Sequence, residues 1–438
     1  MGEVLIDLGE QRGRLPEPST PGRPPHPFRA GLAVLATILV ITLSAAVPLR
    51  PTVRPTLVPG RLGDNMFVEQ DRLYVVGAGP AGNDPAVQNK MVSTYALPAG
   101  TLLTETPVAV TGAIFQVTSA GATILVSYQV DTLGAEATVA VAAGTDRALW
   151  RAPARLLSVA PQGTLVLLRE HNPRTGALRW YGVDLTSGRP RWKFEQPARA
   201  YTTEADHLGG FPRRLITASN SGRIEVRDTT TGAVVTASTV PAPPGWSWRG
   251  ITVWPTENLI LVGGPGGIQA YSLADLRERW HSSLDLFGHW VQDCAGMICL
   301  FGYRGGVQVL DPATGRMRWA GDSWTMADQA GRYLLVSGDQ GLEGRYPLAV
   351  VDPATGVVRG DFGAWQAAGA ARADGTVVGR LQRIGDDVVF YALLDPATLA
   401  VHVLGSATAV SGDCRATTDV LVCRRIDAAV AIWPLTDS

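Results

Sequence analysis

The strongest constraint on the fold is a short unit that recurs along most of the chain. Its clearest copy, VLDPATGRMRW at residues 309–319, contains an alternating strand, a tight turn and a second strand that ends in tryptophan. The other copies are TYALPAGTLL (94–103), AVAAGTDRALW (140–150), GVDLTSGRPRW (182–192), EVRDTTTGAVV (225–235), AYSLADLRERW (270–280), VVDPATGVVRG (350–360) and LLDPATLAVHV (393–403). The turns follow one another at steps of 39 to 44 residues. A period of this length predicts the blades of a β-propeller.

The turn in each unit has a consistent chemistry. An aspartate at its start can accept backbone N–H bonds from the next residues, and a glycine supplies the left-handed conformation that reverses the chain. In the 309–319 copy, Pro312 also restricts φ ahead of Thr314. The residues predicted to form these turns are Asp184, Gly188, Asp228, Gly232, Asp311, Gly315, Asp352 and Gly356.

Tryptophan closes several of the units at a fixed distance from the turn. Trp192, Trp280 and Trp319 have this position, and Trp150 has the same place in its copy. A tryptophan side chain buries roughly 150–250 Å² when it packs against a neighbouring element. We therefore predict that these residues dock each blade against the next and do not form a substrate platform.

Between the turns lie other short β-rich segments, such as TILVSY, TLVLLR, NLILVG and MICLFGY, bounded by glycine, aspartate or asparagine. They indicate nine hairpins, whereas propellers usually close with four to eight blades. The sequence thus predicts an all-β fold: a β-propeller of four-stranded antiparallel blades over residues 62–438, with eight blades, or alternatively seven or nine. The last strand, 429–435, has no following partner. Residues 56–58 are predicted to pair with it and close the ring.

The N-terminal region differs from the repeats. Residues 1–28 are rich in proline, glycine and charge and are predicted to be a disordered cytoplasmic tail. Residues 29–49 contain no charge after Arg29 and are long enough to cross about 30 Å of hydrocarbon. We predict a transmembrane signal-anchor helix here, followed by a proline-rich stalk at 50–61. Cleavage after the small residues at 44–46 is the alternative, although the preceding segment is long for a secretory signal.

The chain has four cysteines, all in its C-terminal third, in two local pairs. The spacings of Cys294 with Cys299 and of Cys414 with Cys423 fit neither a zinc site nor a redox CxxC motif. We predict two disulfides, with four buried free thiols as the alternative. Because disulfides persist in oxidising compartments, the propeller is expected outside the cytoplasm, anchored in the plasma membrane by a single span with the N-terminus inside.

The strings DPATGRMRW, DLTSGRPRW and DPATGVVRG resemble the tryptophan-docking repeat of pyrroloquinoline-quinone-like β-propellers. That superfamily includes quinoprotein alcohol dehydrogenases and the propeller lipoprotein of bacterial outer-membrane assembly, and the tail, span and propeller together are similar to membrane-anchored actinobacterial propeller proteins. The resemblance implies the architecture. The dehydrogenases carry adjacent cysteines beside the quinone and a bound calcium, and the lipoprotein carries a lipidated N-terminal cysteine; this sequence lacks both cysteine features. We therefore expect no cofactor and no bound metal.

Other motifs do not indicate catalysis. GAGPAG at 77–82 fits GxGxxG, but the following residues read as a strand and not as the helix that a dinucleotide site needs. No HExxH or GxSxG motif is present, and the six histidines are scattered. With 38 Lys and Arg against 39 Asp and Glu, the charge balance does not favour nucleic acid as a ligand. The sequence predicts a protein that is not an enzyme, with a quinone-dependent oxidoreductase as the alternative.

The expected function is therefore binding or scaffolding by a propeller held at the membrane, with an unknown protein or surface ligand as partner. Binding residues on rigid scaffolds usually lie in loops. The loop PAPPGWSWRG at 241–250 contains Trp246 and Trp248, which are candidate partner contacts or alternatively pack on the propeller rim. Recognition of a glycan or peptide at the cell surface is a further alternative.

Overall fold

The computed structural model describes residues 54–69, 71–80, 87–208, 210–241, 252–264, 266–338, 347–382 and 385–435. The predicted tail and the predicted membrane span at 29–49 lie outside these ranges. Among the residues that are described, no helix has the length and apolar character needed to cross a bilayer.

The described residues form nine antiparallel sheets of four strands each. We number these sheets as blades 1 to 9 in chain order. Blades 1 to 3 contain β2 Asn65–Val68, β3 Arg72–Ala78, β4 Gln88–Ala96 and β5 Thr101–Val110; β6 Ile114–Ala120, β7 Thr123–Gln129, β8 Glu136–Ala142 and β9 Ala148–Ala152; and β10 Arg155–Val159, β11 Leu165–His171, β12 Leu178–Asp184 and β13 Pro190–Glu195.

Blades 4 to 6 have the same order of strands. They contain β14 Tyr201–Leu208, β15 Phe211–Ala218, β16 Arg223–Asp228 and β17 Val234–Thr239; β18 Thr252–Pro255, β19 Leu259–Gly264, β20 Gly267–Ser272 and β21 Glu278–Ser282; and β22 His289–Cys294, β23 Met297–Gly302, β24 Val307–Leu310 and β25 Met317–Gly321.

Blades 7 and 8 repeat this order, and blade 9 takes its fourth strand from the N-terminal end of the propeller. They contain β26 Trp324–Ala330, β27 Tyr333–Gly338, β28 Ala349–Val351 and β29 Val358–Asp361; β30 Gln366–Ala367, β31 Val377–Gln382, β32 Val389–Asp395 and β33 Ala400–Ala407; and β34 Val410–Ala416, β35 Val420–Arg425, β36 Val430–Pro434 and β1 Thr56–Val58.

The blades form a closed ring. The first strands of neighbouring blades contact one another, for example β2 with β6 and β18 with β22. The first strand of each blade therefore lies nearest the axis of the ring. Nine hydrophobic clusters are found among the described residues, and each joins two adjacent blades. One of them joins blade 9 to blade 1, where Val58 and Ile432 pack with Leu73 and Tyr95. Thus apolar packing continues around the whole circumference.

The strand that completes the ring confirms one sequence prediction. Thr56 pairs with Ile432 and Val58 with Val430 in an antiparallel ladder, so residues 56–58 supply the outer strand of blade 9. The segment predicted as stalk therefore includes part of the propeller. A closed ring leaves only short sheet edges, which protects it from edge-to-edge association.

The prediction of eight blades is wrong, and the alternative of nine is observed. The sequence indicates nine hairpins, and the eight-blade prediction rested on the usual size range of propellers. All nine hairpins are incorporated because β1 completes the ninth sheet and because an apolar cluster fills every interface in the described ranges.

The second strand of each blade explains the continuous apolar segments in the sequence. In β7, the residues from Thr123 to Tyr128 are all buried, and four consecutive residues of β11 and of β23 are buried as well. Neighbouring blades cover both faces of these strands, so both alternating sets of side chains are enclosed.

Candidate binding surface

The repeat tryptophans join neighbouring blades in one common geometry. The indole Nε1 of Trp192 donates to Thr229 O at 2.8 Å, that of Trp280 to Pro312 O at 2.7 Å and that of Trp319 to Pro353 O at 2.8 Å. Trp150 makes the matching bond to Leu185 O at 2.7 Å. In each pair, the accepting carbonyl lies in the repeat turn of the next blade, on the second residue of that turn.

The turn glycine makes room for the indole ring. A Cβ atom on Gly232 would lie 2.6 Å from Cγ of Trp192, and one on Gly356 would lie 2.6 Å from Cγ of Trp319. Gly188 and Gly315 lie equally close under Trp150 and Trp280. All four glycines have positive φ, between 66° and 72°. Glycine at this position thus provides both the turn conformation and the surface on which the ring packs.

The turn aspartates bind the backbone and, in three blades, an arginine. Oδ1 of Asp228 accepts N–H bonds from Thr230 and Thr231 at 3.0 and 2.9 Å, and Asp184, Asp311 and Asp352 accept the equivalent pairs. Arg191 pairs with Asp184, Arg214 with Asp228 and Arg318 with Asp311. The guanidinium of Arg318 holds the pKa of Asp311 below its usual value, and Arg191 does the same for Asp184.

Two turns have leucine where the others have glycine. Leu276 and Leu399 adopt φ values of 55° and 61°, a region that costs a leucine backbone about 1–2 kcal/mol. Leu399 Cδ1 would lie 2.5 Å from a Cβ on Gly360, the residue at the tryptophan position of the preceding blade. Large and small side chains have thus exchanged places across this interface.

Both predicted disulfides are present, and they occupy the same place in their blades. Cys294–Cys299 links β22 to β23, and Cys414–Cys423 links β34 to β35. Each bond therefore joins the first two strands of one blade near the turn between them. No free cysteine occurs among the residues described.

The propeller has two faces that differ in their loops. The turns that join first to second and third to fourth strands lie on one face, which we call the turn face. The other loops and the connections between blades lie on the opposite face, which we call the loop face. The repeat turns are on the turn face, and the connection from β17 to β18 belongs to the loop face. Trp246 and Trp248, in that connection, lie outside the described residues.

An aromatic cluster lies on the loop face at blade 6. Trp290 stacks on Phe301 with 5.2 Å between ring centroids and contacts Tyr303 at 5.8 Å. The Tyr303 N–H bonds to Gly288 O at 2.9 Å, which brings the connection that carries Phe287 beside it. Phe287 and Tyr303 are each 68% exposed. Large exposed aromatic side chains on a rigid hairpin are typical of protein contact sites.

The sequence analysis did not identify this cluster. Its residues come from the connection before β22, the start of β22 and the loop after β23, so no local motif contains them. The signal lies in the strand pairing, since His289 pairs with Gly302 and Trp290 with Phe301. Counting outward from the β22–β23 turn, where Cys294 pairs with Met297, places Trp290 opposite Phe301.

A polar cavity of about 590 Å³ opens at the turn-face end of the axis. Its lining includes Glu69, Gln116, Ser119 and Ser158 from the first three blades. The Tyr74 hydroxyl lies 2.8 Å from Glu69 Oε2 and 2.7 Å from Ser119 Oγ, a link between blades 1 and 2. Burial raises the pKa of Tyr74, so the phenol remains neutral and can donate to the carboxylate.

Carboxylates also lie on or beside the first strands of blades 5 to 7. Burial raises the pKa of Asp293, and the negative charge of Glu257 raises it further; burial also raises the pKa of Asp328. Both aspartates reach solvent, but the protein around the axis excludes part of the water that would stabilise their charge. Over the described ranges, no three His, Cys, Asp or Glu side chains are grouped as a metal site would require.

The glycine motif at 77–82 begins at the end of β3, and its last two residues lie outside the described ranges. β3 pairs antiparallel with β4, from Arg72 with Ala96 to Ala78 with Lys90. The dinucleotide geometry requires a helix directly after the strand. Among the described residues, the strand before the motif is therefore followed by a strand that pairs with it.

Comparisons with known proteins concern the fold. No protein-family profile matches the chain, and no curated protein matches it. Among solved structures, the chain is similar to BamB from Moraxella catarrhalis, with 17% identity, 73% of this chain and 96% of that chain covered, and a TM-score of 0.39. It is also similar to the C-terminal WD40 domain of Sif2, with 10% identity and a TM-score of 0.41; the match covers 88% of this chain and 100% of that chain. At these identities the similarity concerns the β-propeller fold alone.

Proposed function

We propose that this protein is a membrane-anchored, extracytoplasmic propeller that binds a protein partner through its loop face and has no catalytic role. The observation that carries this proposal is the aromatic cluster of Trp290, Phe301 and Tyr303 at blade 6, in which Tyr303 is exposed, together with the exposed Phe287 in the adjoining connection. Aromatic side chains bury a large area with few rotatable bonds, and they account for much of the binding energy at protein interfaces.

The rigidity of the hairpin supports this role. Trp290 and Tyr303 are at one end of the β22–β23 hairpin, and the Cys294–Cys299 disulfide links its two strands near the other end. Phe301, beneath Trp290, is fully buried in the interface with blade 7. The aromatic rings are thus held in place before a partner arrives, which reduces the entropy lost on binding.

Two features support a position outside the cytoplasm. Both disulfides join buried cysteines, and such bonds persist in oxidising compartments. The uncharged segment at 30–49 has the length and composition of a membrane span. The tryptophan–glycine docking further supports a place among the pyrroloquinoline-quinone-like propellers, where it serves as a packing device.

The test is proximity labelling on intact cells with a labelling enzyme fused after Ser438. The wild-type chain is compared with the double variant Phe287→Ala/Tyr303→Ala and with Phe390→Ala, which removes an exposed aromatic ring from β32 in blade 8. We expect one set of surface proteins to be labelled by wild type and by Phe390→Ala and to be lost in the double variant. Equal labelling by all three proteins would contradict the proposal. If added oligosaccharide and not protein removes the labelling, the ligand is a glycan.

A further inference from the structure

We propose that the outer rim of blades 8, 9 and 1 lies against the surface of the membrane. This inference rests on the anchoring proposed above and identifies the side of the ring that faces the lipid. The rim is defined by five exposed aliphatic residues on the outer strands of these three consecutive blades: Leu57, Leu102, Leu103, Val401 and Val403.

The chain between the predicted span and the ring is short. Six residues, 50–55, separate the end of the predicted span from the start of β1 at Thr56. An extended chain advances at most about 3.3–3.6 Å per residue, so this tether reaches about 20 Å. The part of the ring near Thr56 must therefore remain close to the bilayer.

The point where the tether meets the ring is known from the contacts of Thr56. A Cβ on Gly100, in the third turn of blade 1, would lie 2.6 Å from Cγ2 of Thr56. The tether thus joins the ring at its outer edge, on the turn face, between blades 9 and 1. Blade 8 borders blade 9 on the other side. The three rim blades are those nearest the tether.

These outer strands expose apolar surface. Leu57 on β1 is 53% exposed, Leu102 and Leu103 on β5 are 48% and 46% exposed, and Val401 and Val403 on β33 are 37% and 43% exposed. β1 and β33 contain no Asp, Glu, Lys or Arg, and β5 contains only Glu105. The outer strand β17 of blade 4 is also uncharged, so the position of the tether is what distinguishes the rim from it. Apolar surface of this kind usually marks a contact site.

The chemistry of the rim fits a lipid surface. Aliphatic side chains partition into the boundary between head groups and acyl chains, and nearby cations are attracted to anionic lipids. Arg54 and Arg61, which flank β1, are both exposed. A second copy of the chain is the competing occupant, since outer strands present sheet edges.

The experiment uses the full chain in nanodiscs that contain phosphatidylcholine and phosphatidylglycerol. A photo-crosslinking benzophenone residue replaces Leu102 or Val403 in separate variants. The matched control is the same substitution at Val235, which is 52% exposed on the outer strand of blade 4, across the ring. Near-UV circular dichroism confirms that each variant is folded. After illumination, lipid adducts are measured by mass spectrometry.

We expect several-fold more lipid adducts at the two rim positions than at Val235. Equal adducts at all three positions, or crosslinks from Leu102 to a second copy of the chain, would overturn the rim assignment. Alkaline carbonate extraction of cell membranes separates this failure from failure of the anchoring. Release of the protein by carbonate overturns the anchoring and the rim assignment together, whereas retention with equal adducts overturns the rim assignment alone.

Discussion

Replacement of Gly232 by alanine tests whether the turn glycine is required by the tryptophan as well as by the backbone. The new Cβ would meet Trp192 Cγ at 2.6 Å, and the ring cannot retreat without breaking its 2.8 Å bond to Thr229 O. Left-handed strain contributes about 1–2 kcal/mol, overpacking about 1–3 kcal/mol and the lost hydrogen bond about 1 kcal/mol. We expect Gly232→Ala to lower the free energy of unfolding by about 3–6 kcal/mol.

The chain contains a matched control in Gly176. This glycine has φ of 70° against 71° for Gly232, and its N–H closes the same five-residue turn, with a 2.8 Å bond to Asn172 O. No atom lies within 4 Å of a Cβ built on Gly176. Gly176→Ala therefore carries the backbone strain alone and should cost about 1–2 kcal/mol.

Urea denaturation of the full chain in mild detergent measures both variants, with the m-value checked for constancy. The double variant Gly232→Ala/Trp192→Ala completes a thermodynamic cycle. Since removal of the ring also removes the steric clash, the two substitutions should cost less together than the sum of their separate effects. Equal destabilisation by Gly232→Ala and Gly176→Ala, or strict additivity in the cycle, would refute the docking explanation.

Three further predictions concern other sites in the ring. Gly360→Trp alone should lower the free energy of unfolding by about 2 kcal/mol or more, because the new ring meets Leu399. The double variant Gly360→Trp/Leu399→Gly restores the tryptophan and glycine found at the other docking sites, and it should recover most of this loss in urea denaturation. Replacing both Cys414 and Cys423 by alanine should cost about 2–3 kcal/mol. Because all four cysteines are buried, a maleimide should label the urea-unfolded chain only when a reductant is also present. The pKa of Asp293 is higher in the folded state than in the unfolded state, so ionisation of this residue lowers the stability of the fold once the pH exceeds the unfolded-state pKa. Asp293→Asn removes this cost and should raise the thermal midpoint at pH 7. At about pH 3, where the carboxyl group is protonated, the substitution should have little effect. Unchanged midpoints at pH 7 would exclude that cost.

Much of the fold follows from local sequence. The turn motif predicts the hairpins because Asp228 and Gly232 act within one turn, and the period predicts a ring because identical units bury the same faces. The number of blades depends on how many units pack before the ends meet, a global property. The pairing of β1 with β36 was predictable because β36 lacked a partner. The exchange of Leu399 with Gly360 was not predicted, since the two residues meet only across an interface between blades.

The candidate binding surface was harder to predict for the same reason. Repeat residues such as Trp192 stand out because they recur, and recurrence reflects packing that every interface needs. A binding site differs from the repeat, so it occurs once and leaves no periodic signal. Phe287 and Tyr303 have this character, because no other aromatic side chain in the described ranges is exposed to the same extent.

The closing strand gives the N-terminal segment two physical roles. Residues 56–58 complete the ninth sheet, and six residues separate them from the predicted membrane span. Because β1 pairs over only three residues, its attachment depends on the packing of Val58 against Leu73 and Tyr95 in blade 1. A protein cleaved after residue 46 would retain these contacts and the closed ring, but would lose most of the predicted membrane span. Ring closure and the proposed membrane attachment are therefore separable by cleavage.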